Sequence, residues 1–153
     1  MTAALLDGLA RWLATRGHGV YRPSSTYAAG ETAIVLYDSI PEPTRLVVLR
    51  PYPAGAEPDS RLPFDEPFVQ VKVRGGADAA DSSALAEALY ADLHGLGPVR
   101  LPGPTGPEDG PLLLLVVAQQ QPAPLGRDEV GRYQHVFNIR AEVARPTAHR
   151  PAL

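Results

Sequence analysis

The sequence predicts an α+β fold of two layers, a mainly antiparallel sheet with helices packed on one face. Three observations carry this. Val69, Val71 and Val73 alternate with Gln70, Lys72 and Arg74, a period of two that sends apolar side chains to one face of a strand and polar ones to the other. Gly75-Gly76 then breaks the strand, and Leu85, Leu89 and Leu93 follow at the four-residue spacing of an amphipathic helix. Near the end of the chain Tyr133, His135, Phe137, Ile139, Ala141 and Val143 alternate with Gln134, Asn138, Arg140 and Glu142, with Val136 the exception.

Taken in order, residues 2–16 read as a helix. Thr2 is the expected N-cap, Leu5, Leu9, Trp12 and Leu13 share a face, and Gly17 closes it. Trp12 is expected as a core anchor. Residues 20–30 are polar and irregular. Residues 32–37 and 45–50 are short apolar runs rich in β-branched residues and read as strands, separated by a break that Pro41 and Pro43 impose. Residues 54–63 read as a loop, which Phe64 and Phe68 clamp onto the core. Asp78 is the expected N-cap of the second helix, Asp81 supplies negative charge to its first turn, and Gly95 follows its end.

Residues 99–111 are dominated by proline and glycine, so no packed element spans their middle, and they read as an exposed hairpin tip or linker between Val99-Arg100-Leu101 and the next strand. Residues 112–121 (LLLLVVAQQQ) read as a strand buried at first on both faces and stopped by Pro122 and Pro124. Residues 125–131 read as a loop. Residues 132–144 form the closing strand, antiparallel to 112–120. Residues 1–144 are thus expected as one domain and 145–153 as a flexible tail.

Composition narrows the function. A chain of 153 residues can bury a core without a disulfide or metal. The absence of cysteine excludes zinc–thiolate sites, iron–sulfur clusters and thiol catalysis. A net charge of −3 gives no electrostatic case for binding nucleic acid. No apolar run approaches a membrane span, and no basic leader precedes the first apolar residues, so a soluble cytoplasmic product is expected.

Residues suited to catalysis or metal binding are few and scattered. His18, His94, His135 and His149 lie in a turn, at a helix end, in a strand and in the tail, with no metal-site spacing among them. His18 is expected to be solvated, and His94 to interact with the helix dipole. The pairs Asp65-Glu66 and Glu108-Asp109 are loop charges rather than a catalytic pair across a cleft. Ser24-Ser25 and Ser82-Ser83 lack a nucleophile elbow, and Gly75-Gly76 lacks the spacing of a phosphate loop. No cofactor or metal site is expected.

The segments LLDGLARWLATRGHG, AIVLYD, LPFDEPFVQVKVRGG, ALAEALYADLHGL and LGRDEVGRYQHVFNIRAEV, in this order, resemble the small minor capsid or tail-terminator (head–tail joining) proteins of long-tailed bacteriophages. The resemblance is carried chiefly by residues 67–75, 84–96 and 126–140. Residues 102–111 and 145–153 depart from the compact pattern. The resemblance implies a structural virion protein, made in the host cytoplasm, whose copies form a ring, typically sixfold. That ring caps the tail tube and docks it to the connector or stopper of the head. The implied partners are other copies, the tube protein and the connector protein. No membrane and no sequence-specific nucleic acid is involved, although DNA passes through the lumen.

A heterologous ring needs two different patches on each subunit. The polar face of the sheet, with Gln70, Lys72, Arg74, Gln134, Asn138 and Arg140, is the candidate subunit interface. Arg61, Arg100, Glu108, Asp109, Arg127 and Asp128 are the candidate loop contacts to other virion parts. Two alternatives stand beside this reading. One is a module that binds a peptide along a free strand edge. The other is an enzyme built from His135 and a carboxylate of Asp65, Asp128 or Glu129.

Overall fold

The computed structural model describes residues 2–53 and 57–153. Two helices, α1 (Thr2–Thr15) and α2 (Ala79–Leu93), accompany nine strands. The strands are β1 (Val20–Tyr21), β2 (Ala33–Leu36), β3 (Leu46–Pro51), β4 (Phe64–Asp65), β5 (Phe68–Arg74), β6 (Val99–Arg100), β7 (Leu112–Ala118), β8 (Ala123–Arg127) and β9 (Tyr133–Ala144). They form one sheet in the order β1-β2-β3-β5-β9-β7-β6, with β4 and β8 also paired to β9.

The closing strand is the spine of the sheet. One edge of β9 takes β5 over residues 134–140 and β4 over 143–144. The other edge takes β8 over 133–136 and β7 over 139–143. All of these pairings are antiparallel, whereas β1, β2 and β3 run parallel to one another. The expected α+β class therefore holds, with a parallel corner.

Parity fixes the layers. Val47 and Leu49 of β3, Val69, Val71 and Val73 of β5, and Phe137, Ile139, Ala141 and Val143 of β9 all point inward. Both helices cover that face, α1 with Leu5, Leu6, Leu9 and Leu13, α2 with Leu85, Leu89 and Leu93. Each buried Leu, Ile, Val or Phe side chain contributes roughly 1.5–3 kcal/mol. A surface ion pair gives about 0–1 kcal/mol, so this apolar face decides the fold.

Local chemistry sets the ends of α2 as expected. The Asp78 carboxylate accepts from the Ala80 N–H, and Asp81 accepts from Gly76 N while lying 3.3 Å from the Arg45 guanidinium. Gly95 follows in the left-handed region at φ 86. The bend after it also needs a glycine. A Cβ on Gly97 would sit 2.3 Å from the Leu114 carbonyl oxygen, at φ 128.

Several expectations are corrected. Thr2 is already helical rather than an N-cap, and Trp12 is only half-buried, with the Arg16 guanidinium 5.6 Å from its ring centroid. The irregular stretch 20–30 begins with β1. The strand from residue 112 is not buried on both faces: only Leu113 and Val116 are fully covered, because a bulge between Leu113 and Leu115 resets the alternation. The expected loop 125–131 overlaps β8, whose Pro124 is tolerated because that strand lies at an edge. Residues 145–153 carry no helix or strand. Arg150 in this segment donates to the Leu62 and Phe64 carbonyls and pairs with Asp65 at 3.0 Å.

Candidate functional site

The outer face of the sheet, away from the helices, gathers the residues expected at the subunit interface. Gln70 lies opposite Asn138 and Arg74 opposite Gln134 across β5 and β9, while Arg140 lies opposite Phe68. On the other side of β5, Arg50 lies opposite Gln70, and Val48 opposite Lys72. Arg50 closes the row Arg50–Gln70–Asn138. Sequence reading missed it, because the β3–β5 register is not visible in either strand alone.

Half of this face is closed by the chain itself. The connection from β2 to β3 crosses it, and Ile40 and Tyr27 pack on Ala33, Leu46 and Val48. Arg74 fastens that connection. Its guanidinium donates to the carbonyls of Thr44 at 3.0 Å, Pro43 at 2.8 Å and Pro41 at 3.3 Å. Arg132 donates to Pro41 O at 2.6 Å as well. Arg74 is only 5% exposed, so it is not offered to a neighbour as the alternation alone suggested. Burial, and then the Arg132 charge, hold it below the ordinary arginine value. Three carbonyls nonetheless meet the guanidinium, as a buried cation requires.

The other half is open and unevenly paired. Arg140 is matched to Glu142 at 2.9 Å and Glu66 at 3.4 Å. Lys72 has no such partner among the described residues. Desolvation first, then the charges of Arg50 and Arg74, hold its ammonium below the ordinary lysine value. Arg50 Nε and Asn138 Oδ1 are buried without a hydrogen-bond partner among the described residues. This part of the face therefore holds a donor, an acceptor and two cations that the described residues leave unmatched. Gln134 is half-buried between Arg74 and Gly126.

The candidate loop residues divide into two kinds. Arg61, Arg100, Glu108 and Asp109 are exposed. Arg61 N donates to Asp59 Oδ1, and Arg100 reaches Gly110 O at 3.4 Å. Residues 54–56 of the loop 54–63 lie outside the described residues. Asp128, in contrast, organises the β8–β9 turn: Oδ1 accepts from the N–H groups of Val130 and Arg132, and Oδ2 from the Arg132 guanidinium at 2.8 Å. Desolvation pushes its carboxyl up, but these donors outweigh it and hold the group below the ordinary carboxylate range. Arg127 lies over the Tyr133 ring, 4.8 Å from its centroid.

Three of the four histidines are absorbed by structure, and His149 is exposed. His18 is not solvated: Nε2 lies 2.8 Å from Asp92, which also takes the Arg16 guanidinium, so this cluster ties the exit of α1 to α2. His94 Nδ1 accepts the Ala118 N–H at 3.0 Å, so this ring seals an edge of β7. His135, inside the core, meets Ser82 Oγ at 2.8 Å, and that hydroxyl is fully buried. None of Asp65, Asp128 and Glu129 is its partner; Asp65 pairs with Arg145 and Arg150. Among the described residues no cluster of three or more His, Asp or Glu side chains could hold a metal ion, and no helix is long and apolar enough to cross a membrane.

Comparison with known proteins adds one finding. A family model described as "Bacteriophage tail terminator protein" matches residues 12–145. That span takes in the whole sheet and α2, and it leaves out most of α1 and the last eight residues. No protein of curated function matches the chain significantly.

Proposed function

We infer what this chain does from one premise: it belongs to the bacteriophage tail terminator family. It is a structural component of a phage tail, and its work involves other tail and head proteins. More specifically, we propose that its copies close into a ring, sixfold by the family resemblance. The ring caps the finished tail tube and joins it to the head connector, with DNA passing through its lumen. Assembly takes place in the host cytoplasm. The protein acts by fitting surfaces together and transforms no molecule.

The observation that carries this reading is the open half of the outer sheet face. A single chain gains nothing from leaving Arg50 Nε and Asn138 Oδ1 buried without partners beside a desolvated Lys72. A neighbour that covers this face turns the same groups into an interface. The dispersed-enzyme alternative loses support because His135 is engaged by a fully buried serine inside the core.

Negative-stain electron microscopy of particles made without this protein tests the proposal. The expected result is tails of abnormal length, or heads and tails that fail to join, with both defects corrected by the wild-type chain in trans. Particles of normal length and normal joining contradict it.

A further inference from the structure

The ring reading leaves open what a neighbouring copy brings to the unmatched cations. The geometry points to the Glu108-Asp109 tip of a second copy as the group that docks on Arg50 and Lys72, head to tail. This rests on the ring proposal and specifies its contact.

The socket is defined by what it lacks. Among the described residues, neither Arg50 nor Lys72 has a carboxylate within ion-pair distance, although most arginines of this chain have one. They are diagonal neighbours on β3 and β5, since Arg50 faces Gln70 and Lys72 faces Val48. Like charges so placed repel, and the repulsion is relieved by an anion from outside. The surroundings are the amides Gln70 and Asn138, Val136 and the fully covered Val48. This short, desolvated strip suits a carboxylate on a protein loop better than the long backbone of a nucleic acid.

The key is present on the same chain, out of reach of its own socket. Glu108 and Asp109 are exposed and have no cation partner among the described residues. They sit on the tip joining β6 to β7, at the opposite edge of the sheet from β3. The tip also lies on the helix side: a Cβ on Gly8 of α1 would be 3.0 Å from Leu101 and 3.3 Å from the Pro102 carbonyl. Socket and key therefore face opposite directions, which an isologous pair cannot satisfy simply and a head-to-tail ring can. The tip is held in shape before docking. Leu101 is fully buried, Gly103 N bonds Gly106 O at 2.9 Å, and Gly110 N bonds Leu101 O at 2.8 Å. Little ordering entropy is lost on binding.

Charge reversal and its swap test the contact. Two full-chain variants are compared with wild type by light scattering at high protein concentration: Glu108→Lys with Asp109→Lys, and Arg50→Glu with Lys72→Glu. Thermal melting verifies that each is folded. Each reversal is expected to weaken self-association on the order of 30-fold or more, and the variant carrying all four changes to restore it. On assembled tails the readout is cross-linking. The chain has no cysteine, so Lys72→Cys combined with Glu108→Cys gives a ladder of linked copies with a bis-maleimide, and either change alone does not. If wild type associates and both reversals associate equally well, the contact is wrong while the ring stands. A wild type that is monomeric in solution and present as single copies on tails removes both. Binding of duplex DNA that is lost with Arg50→Glu and Lys72→Glu also overturns the contact, assigning the cations to phosphate.

Discussion

Alternate residues of the same three strands build the two faces of this sheet. On the helix side, Val47, Val71 and Phe137 lie in adjacent strands with no exposure, and the polar pair buried there, His135 and Ser82, is matched to itself. On the other side, Val48 is covered by the chain's own connection, whereas Lys72 and Asn138 remain partly open. The first face is complete within one chain. The second is half complete, and its unfinished half has polar groups without partners. Under the proposed function stability rests on the first face and assembly on the second, a division open to experiment.

The largest effect is expected on the helix side. Phe137→Ala removes the largest fully buried side chain, together with its edge contact to Tyr90 at 5.8 Å, and should cost roughly 3–5 kcal/mol in denaturant unfolding. Arg74→Ala comes next, on the closed half of the outer face. Losing a guanidinium that holds three carbonyls should cost about 2–3 kcal/mol and increase proteolysis within residues 37–45. A loss of stability without that local cleavage breaks the assignment of Arg74 as the fastener. Asp78→Ala, away from both faces, should cost about 1 kcal/mol through its lost N-cap, measured the same way.

The smallest effect sharpens the comparison most. The Lys72 ammonium is held below its ordinary value of 10.5, so the unfolded chain binds this proton more tightly than the folded one. Stability from this group is therefore reduced at neutral pH and regained as pH rises from its lowered value toward 10.5. Urea unfolding of wild type and Lys72→Gln over the alkaline range should converge from a small excess stability of the variant at neutral pH. A variant less stable than wild type at neutral pH contradicts the crowding of cations on this face.

Much of the inner face was legible because parity is local. Val69 to Val73 and Phe137 to Val143 announce their burial within a few residues, and Asp78 and Gly95 mark the ends of α2 by chemistry that acts over one turn. The outer face was legible only as a list of polar residues. Whether each one is open depends on which strand lies beside it and which loop crosses it. Arg74 and Lys72 sit two residues apart with the same parity; one is fastened under a loop and the other is not. Arg50 was hidden for the same reason, since only the β3–β5 register brings it into line with Gln70 and Asn138. β8 was missed because Pro122, Pro124 and Gly126 mimic a loop, and its pairing depends on the distant β9.

The division of labour between the faces is tested most directly by Lys72→Glu, assayed for melting temperature and for its ability to restore joined particles when the wild-type protein is absent. The melting temperature is expected to equal or exceed that of wild type, because the new carboxylate meets Arg50 instead of repelling it, while joined particles are lost. A variant that melts like wild type and restores normal particles contradicts it.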